Sequence, residues 1–316
     1  MEQVTFWIGF KGELAALSAA FLWAASSVVY RRLGQRIPPL QLNFYKGAIA
    51  ITLMGITLFM LGDGQESIEF HLVPVVFLII SGVIGIGLGD TAYFSALNHL
   101  GARRALLFET LAPPLAAVLA LIFLGERLSA GAWCGILLTI LGVAWVITER
   151  TTTDATTNRP QARLGIIWAL LAAVAQASGA VLSRAALSES SVSPLWSSLL
   201  RLAAGTLIVL LLLLVRRQYT EKTAPYSQPT WPIRLIGILI LTAFSSTYLA
   251  TWLQQTSLKF APTGIAQTLS ATSPLFIVPI AASLGERISL RAILGVLVAT
   301  AGVGLLFSLR QWSQQF

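Results

Sequence analysis

The sequence is short of charge, of cysteine and of histidine, and each shortage excludes something. Only 11% of its 316 residues are Asp, Glu, Lys or Arg, against ~25% in an ordinary soluble chain, while 56% are hydrophobic. Mean hydropathy is +0.77. A disordered chain needs low hydrophobicity and high charge, and a soluble globule does not carry so large an apolar excess. The one cysteine, Cys134, excludes an internal disulfide and reads as a packing residue in an apolar run. The two histidines, His71 and His99, flank separate apolar runs, so no Cys/His metal cluster is expected. No Gly-x-Gly-x-x-Gly, Gly-x-x-x-x-Gly-Lys-Ser/Thr or Gly-x-Ser-x-Gly string occurs, which argues against a dinucleotide fold, built-in ATP coupling and a serine nucleophile elbow. No cofactor is expected.

What the chain does have is long apolar runs. Crossing ~30 Å of hydrocarbon takes ~20 apolar residues in a helix. Spans of that kind read as 13–31, 41–61, 72–97, 103–124, 131–148, 164–186, 195–215, 233–256, 262–284 and 291–309. The expected fold is therefore an all-α integral membrane protein with ten transmembrane helices. Barrel strands would be ~10 residues long with polar–apolar alternation, which is not the pattern here. The first run is too long for the apolar core of a secretory signal, ~7–15 residues. Three connections are clearly polar, at 62–71, 149–163 and 216–232.

The chain repeats itself. Leu124-Gly125-Glu126-Arg127-Leu128-Ser129 matches Leu284-Gly285-Glu286-Arg287-Ile288-Ser289 at five of six positions, 160 residues apart. The same offset pairs Gly135 with Gly295 and Gly142 with Gly302; an offset of 153 pairs Gly12 with Gly165 and Arg31 with Arg184, and 155 pairs Lys46 with Arg201. Each half then holds five helices: 1–150 as the first repeat, 151–163 as a Thr-rich linker and 164–316 as the second. Five is odd, so the second half enters the membrane from the opposite side, an inverted-topology repeat with its site near the midplane. Two five-helix halves with this Gly-Glu-Arg-x-Ser turn, with Ala96-Leu97, with Pro113/Pro114 and Pro274 in the fourth helices and with Gly-containing fifth helices, resemble the EamA-domain family of the drug/metabolite transporter superfamily. That resemblance implies transport of a small metabolite or drug, usually export, through a cavity lined by helices one, three, four, six, eight and nine.

Ionisable residues inside a membrane are costly and are candidates for function. Asp90 lies within Gly87-Leu88-Gly89-Asp90-Thr91 and Glu109 about two turns into the fourth span. Asp90 is readable as a satisfied structural carboxylate or as a proton or substrate site. An aspartyl protease would need a second membrane aspartate, but Asp63 and Asp154 lie in polar connections. Glu109 precedes Pro113 by four residues, as Ser270 precedes Pro274, so its carbonyl lacks a helical donor and the helix is expected to kink there. Its carboxylate suits a cationic group, a coupling proton or an ion pair with Arg103 or Arg104. Ser81, Gly85 and Gly89 form a small face for close helix packing. Trp23 and its repeat mate Gln176, Tyr93 on the face of Asp90, Trp252 and Gln255 on one face of the eighth helix, and Gln267 complete the expected substrate-binding or coupling set. Lys46 and Arg201 read as snorkelling to an interface. Glu126 and Glu286 read as structural, capping a helix start.

The net charge of +8 is distributed by side. Odd-numbered connections hold 14 basic residues (Arg31, Arg32, Arg36, Arg103, Arg104, Arg150, Arg159, Arg163, Arg216, Arg217, Lys222, Arg234, Arg287, Arg291) and the opposite side holds 5 (Lys11, Arg127, Arg184, Lys259, Arg310). The positive-inside rule then places the odd connections in the cytoplasm and both termini outside, whereas the family resemblance implies termini inside. The expected protein is a non-enzymatic, multi-pass secondary transporter of a bacterial plasma membrane, working by alternating access and coupled to protons in one version. Its expected partners are a small-molecule substrate (amino acid, amine or drug-like compound) and the bilayer. A homodimer is left open, and no nucleic acid is expected. A membrane-embedded enzyme or a membrane scaffold or sensor is the alternative.

Overall fold

The computed structural model describes residues 10–33, 37–61, 72–100, 102–148, 159–188, 190–220, 232–283 and 289–314. Among them the chain is helical throughout, with no strand: α1 (Lys11–Leu33), α2 (Pro39–Leu61), α3 (Leu72–Leu100), α4 (Ala102–Glu109), α5 (Ala112–Leu124), α6 (Ala130–Thr148), α7 (Arg159–Ser188), α8 (Pro194–Thr220), α9 (Ile233–Phe260), α10 (Thr263–Ser270), α11 (Ser273–Ser283) and α12 (Leu290–Gln314). The polar connections at 62–71, 149–158 and 221–231 lie outside these residues, as does the second Gly-Glu-Arg turn with Glu286.

Eight of the ten expected spans are helices long and apolar enough to cross a membrane. The first and the ninth are helices that fall short of that standard. α1 carries Lys11, Glu13, Arg31 and Arg32 within its bounds, and the ninth expected span is divided into α10 and α11, with Thr263, Gln267, Thr268, Ser270, Thr272 and Ser273 along it. Both helices line a polar cavity, and a helix that faces such a cavity has less need of an apolar face there. Leu121, Ile122, Phe123, Leu137 and Leu141 point outward and are exposed, as hydrocarbon-facing residues should be.

The matched glycines of the two halves do reciprocal work. Gly12, at the start of α1, lies against the end of α9, where an added Cβ would meet Ala261 at 2.8 Å; Gly165, early in α7, lies against the end of α3, meeting Leu100 at 2.6 Å. Each half's first helix thus packs on the third helix of the other half. Gly135 sits on Gly302, and Gly142 on Gly295 and Ala299. α6 and α12 therefore cross antiparallel, backbone to backbone, each glycine meeting the repeat mate of the other. A methyl at Gly142 has no room between Ala299 and Gly295, so Gly142→Ala is expected to destabilise the protein by the ~1–3 kcal/mol typical of overpacking, read as a lower unfolding temperature in detergent. Gly55→Ala, whose added Cβ meets nothing within 4 Å, is the control and should leave it unchanged or raise it slightly.

The two halves also share their irregularities. The third span of each half widens into a π-helical segment, Gly82–Gly89 in α3 and Phe244–Leu249 in α9. The fourth span of each is broken. Pro113 cannot donate to Glu109, nor Pro274 to Ser270, and the chain tightens instead through short bonds, Leu111 N–H to the Phe108 carbonyl (3.1 Å) and Thr272 N–H to the Leu269 carbonyl (3.2 Å). π segments and broken helices free backbone groups, and inside a membrane these are tolerated only where protein or a wet cavity satisfies them.

Candidate functional site

A cavity of about 420 Å³ lies among these irregular elements. Its floor is built at the two helix breaks, by Thr110, Ala112 and Pro113 from the first half and Ser270, Ala271 and Pro274 from the second. Its wall runs up to Leu106 in α4 and Ile147 in α6, each within about a turn of a helix end, so the cavity reaches toward the face that carries the odd-numbered connections.

Six of the eight expected site residues line it: Trp23, Asp90, Tyr93, Glu109, Gln176 and Gln267. Asp90 is the first residue after the π segment of α3, and Asn43 Nδ2 donates to its carboxylate at 3.3 Å. Lys46 and Arg201 both act on it electrostatically, and Glu109 lies close enough to interact with it. Tyr93 feels both carboxylates. Trp23 Nε1 donates to the Ser246 carbonyl at 2.9 Å, so the indole from α1 is fixed by the π segment of α9; Tyr30 and Ser246 share a hydroxyl hydrogen bond of 2.6 Å on the same wall. Arg103 and Arg104, the expected partners of Glu109, have side chains outside the described ones.

Two expected residues lie elsewhere. Trp252 packs edge-on against Tyr248 at 6.1 Å, in the apolar cluster with Ala50, Met54 and Leu202. Gln255 is fully buried and accepts from Ser197 Oγ at 3.3 Å. Its neighbour Gln254 faces the cavity instead.

Sequence reasoning missed further lining residues. Lys46 lines the cavity and lies 5.9 Å from the Tyr30 ring, rather than reaching for an interface. Arg201 does not snorkel either: it is 3% exposed, behind the cavity wall. Among the described residues, every charged lining residue (Lys46, Asp90, Glu109) comes from the first half, while the second supplies neutral hydrogen-bonding groups such as Ser246, Thr247, Gln254 and Ser270. The repeat pairing of Lys46 with Arg201 was the available sign that both belong to one layer.

Toward the opposite end a polar clamp joins the halves. Arg184 Nε donates to Glu126 Oε1 at 2.6 Å, and Arg184 Nη1 donates to the carbonyls of Leu258 (2.8 Å) and Lys259 (2.7 Å). Glu126 Oε2 accepts from the Thr263 N–H at 2.8 Å. Glu126 is a cap, as its place before a helix suggested. The helix it caps is α10 of the other half, not the α6 that follows it. Lys259 Nζ in turn donates to the Val192 carbonyl at 2.7 Å beyond the end of α7.

Known proteins match all or part of this chain. An uncharacterized transporter of Archaeoglobus fulgidus is 26% identical over 302 residues, 93% of this chain and 96% of its own. The pseudopaline exporter CntI of Pseudomonas aeruginosa is 23% identical over 136 residues, 43% of this chain and 46% of the exporter. A solved crystal structure shares the fold with a TM-score of 0.76 at 20% identity, over 95% of this chain and 97% of the other. The profile of the EamA-like transporter family matches twice, over residues 10–148 and 163–308, which is the repeat read from the offsets. With both halves matched and relatives named as transporters, this membrane protein belongs to the EamA-like transporter family.

Proposed function

We propose that the chain is a secondary transporter that exports a small metabolite (an amino acid, amine or drug-like compound) from the cytoplasm across the plasma membrane by alternating access, with proton movement coupled through Glu109 or Asp90. The observation that carries this reading is a polar cavity floored by the broken helices of both halves, reaching toward one face, with a clamp joining the halves toward the other. Division at the 151–163 linker into inverted repeats of five membrane-crossing helices is supported by the antiparallel crossing of α6 and α12. Such halves rock around a midplane site. The cavity reaches toward the side with 14 of the basic residues, which the positive-inside rule places in the cytoplasm. In that orientation the conformation is open for loading from within, and the name of the pseudopaline exporter agrees with outward transport.

The test is counterflow in proteoliposomes. Vesicles preloaded with a mixture of amino acids, amines and small amphipathic compounds are expected to accumulate a labelled member transiently and saturably, and empty vesicles are not. Absence of saturable flux across a broad panel overturns the reading.

A further inference from the structure

Among the described side chains, Arg201 is a buried guanidinium whose place the cavity reading leaves unexplained. It lies two turns into α8, 3% exposed, and its Nε has no hydrogen-bond partner among the described residues. Three glycines make room for it. Gly82, in the π segment of α3, lies against its main chain. At Gly85 an added Cβ would stand 2.9 Å from Arg201 Nη2, and at Gly179 of α7 it would stand 3.4 Å from the same atom. Gln176, whose amide oxygen would be 3.6 Å from that Gly85 Cβ, lines the cavity on the other side. The guanidinium is therefore one side chain away from the cavity, and it acts electrostatically on Asp90. A buried charge with this much backbone cleared for it is costly unless its field is used.

Among the described side chains, the cavity holds two carboxylates, Asp90 and Glu109, and one cation, Lys46. Left alone, that set carries a formal charge of one minus and would favour amines. Resting on the transporter reading above, we infer that Arg201 is a specificity-determining residue held outside the cavity: it supplies the second cation, makes the site neutral overall and matches it to a substrate carrying both an ammonium and a carboxylate. With the two carboxylates balanced by the two cations, a dipolar substrate adds no net charge to a low-dielectric site. Arg201 touches no substrate in this scheme. It acts through Asp90, with Lys46 sharing that carboxylate from the cavity side.

The experiment compares leucine, leucinamide and N-acetylleucine as competitors in counterflow, three probes with one side chain and different charged groups. Wild-type protein is expected to prefer leucine to both singly charged probes. Arg201→Met should move the preference toward leucinamide by about tenfold, the scale of one unpaired charge partly screened. Arg201→Lys should restore much of the original order. Gly85→Ala crowds Nη2 while keeping the charge, so it should shift the preference in the wild-type background and have no effect on it in Arg201→Met. This gives a test even if Arg201→Met alone folds poorly. A wild type without preference for leucine, an unchanged order in Arg201→Met, or a Gly85→Ala effect that persists without Arg201 each overturns the inference while leaving transport standing. A protein with no saturable flux for any compound overturns the transporter reading instead.

Discussion

Glu126→Ala is expected to lower the unfolding temperature more than any other single change at the clamped end of the cavity. The substitution removes the acceptor of two hydrogen bonds at once, from Arg184 at 2.6 Å and from the Thr263 N–H at 2.8 Å. It leaves a guanidinium that is 17% exposed without its carboxylate and the first turn of α10 without its cap. Hydrogen bonds to charged groups and helix caps together put the cost at about 2–4 kcal/mol. Arg127→Ala, next to it and exposed, should fall within ~0.5 kcal/mol of wild type. The clamp also predicts a change of access. In a Cys134→Ser background, a cysteine at Ser270, on the cavity floor, should react with an impermeant maleimide only from the side of the odd-numbered connections. Adding Glu126→Ala should expose it from the clamp side as well. Reaction from both sides with the clamp intact would show that Glu126 and Arg184 do not seal that end.

The clamp also marks where sequence reasoning runs out. That Glu126 caps a helix follows from its place in a short turn before a helix, but the helix it caps is supplied by the other half, and no local pattern names a partner 137 residues away. The reciprocal glycines were legible, because packing of repeat on repeat forces the same small residue at equivalent crossings, as at Gly12 and Gly165. The cavity residues Trp23 and Gln176 were legible as repeat mates, polar-capable side chains at equivalent depth in the two halves. Trp252 and Gln255 do share a face of the regular helix that follows the π segment, but that face packs on α2 and α8, while Gln254 faces the cavity; a shared face does not say which neighbour it meets. Arg201 was read as snorkelling from its depth in its own span. Its real environment is made by glycines of α3 and α7, which a reading of α8 alone does not contain.

Glu109→Gln is expected to have the largest effect on transport, and its form distinguishes two roles. Glutamine keeps the shape and an acceptor oxygen, so the break at Pro113 and the cavity floor should survive and the unfolding temperature should change little. The charge beside Asp90 and Tyr93 is lost. If Glu109 carries the coupling proton, uptake driven by a pH gradient should fall by about tenfold or more, while counterflow, which needs no net proton movement, continues near the wild-type rate. If Glu109 binds the cationic group of the substrate, both assays should fail together and the concentration for half-saturation should rise. Gradient-driven and counterflow rates that both stay at wild-type level would remove Glu109 from the mechanism. Asp90 would then be the one remaining cavity carboxylate among the described residues, with Asn43 donating to it and Lys46 and Arg201 on either side, and coupling would have to pass through a group whose charge the protein already balances.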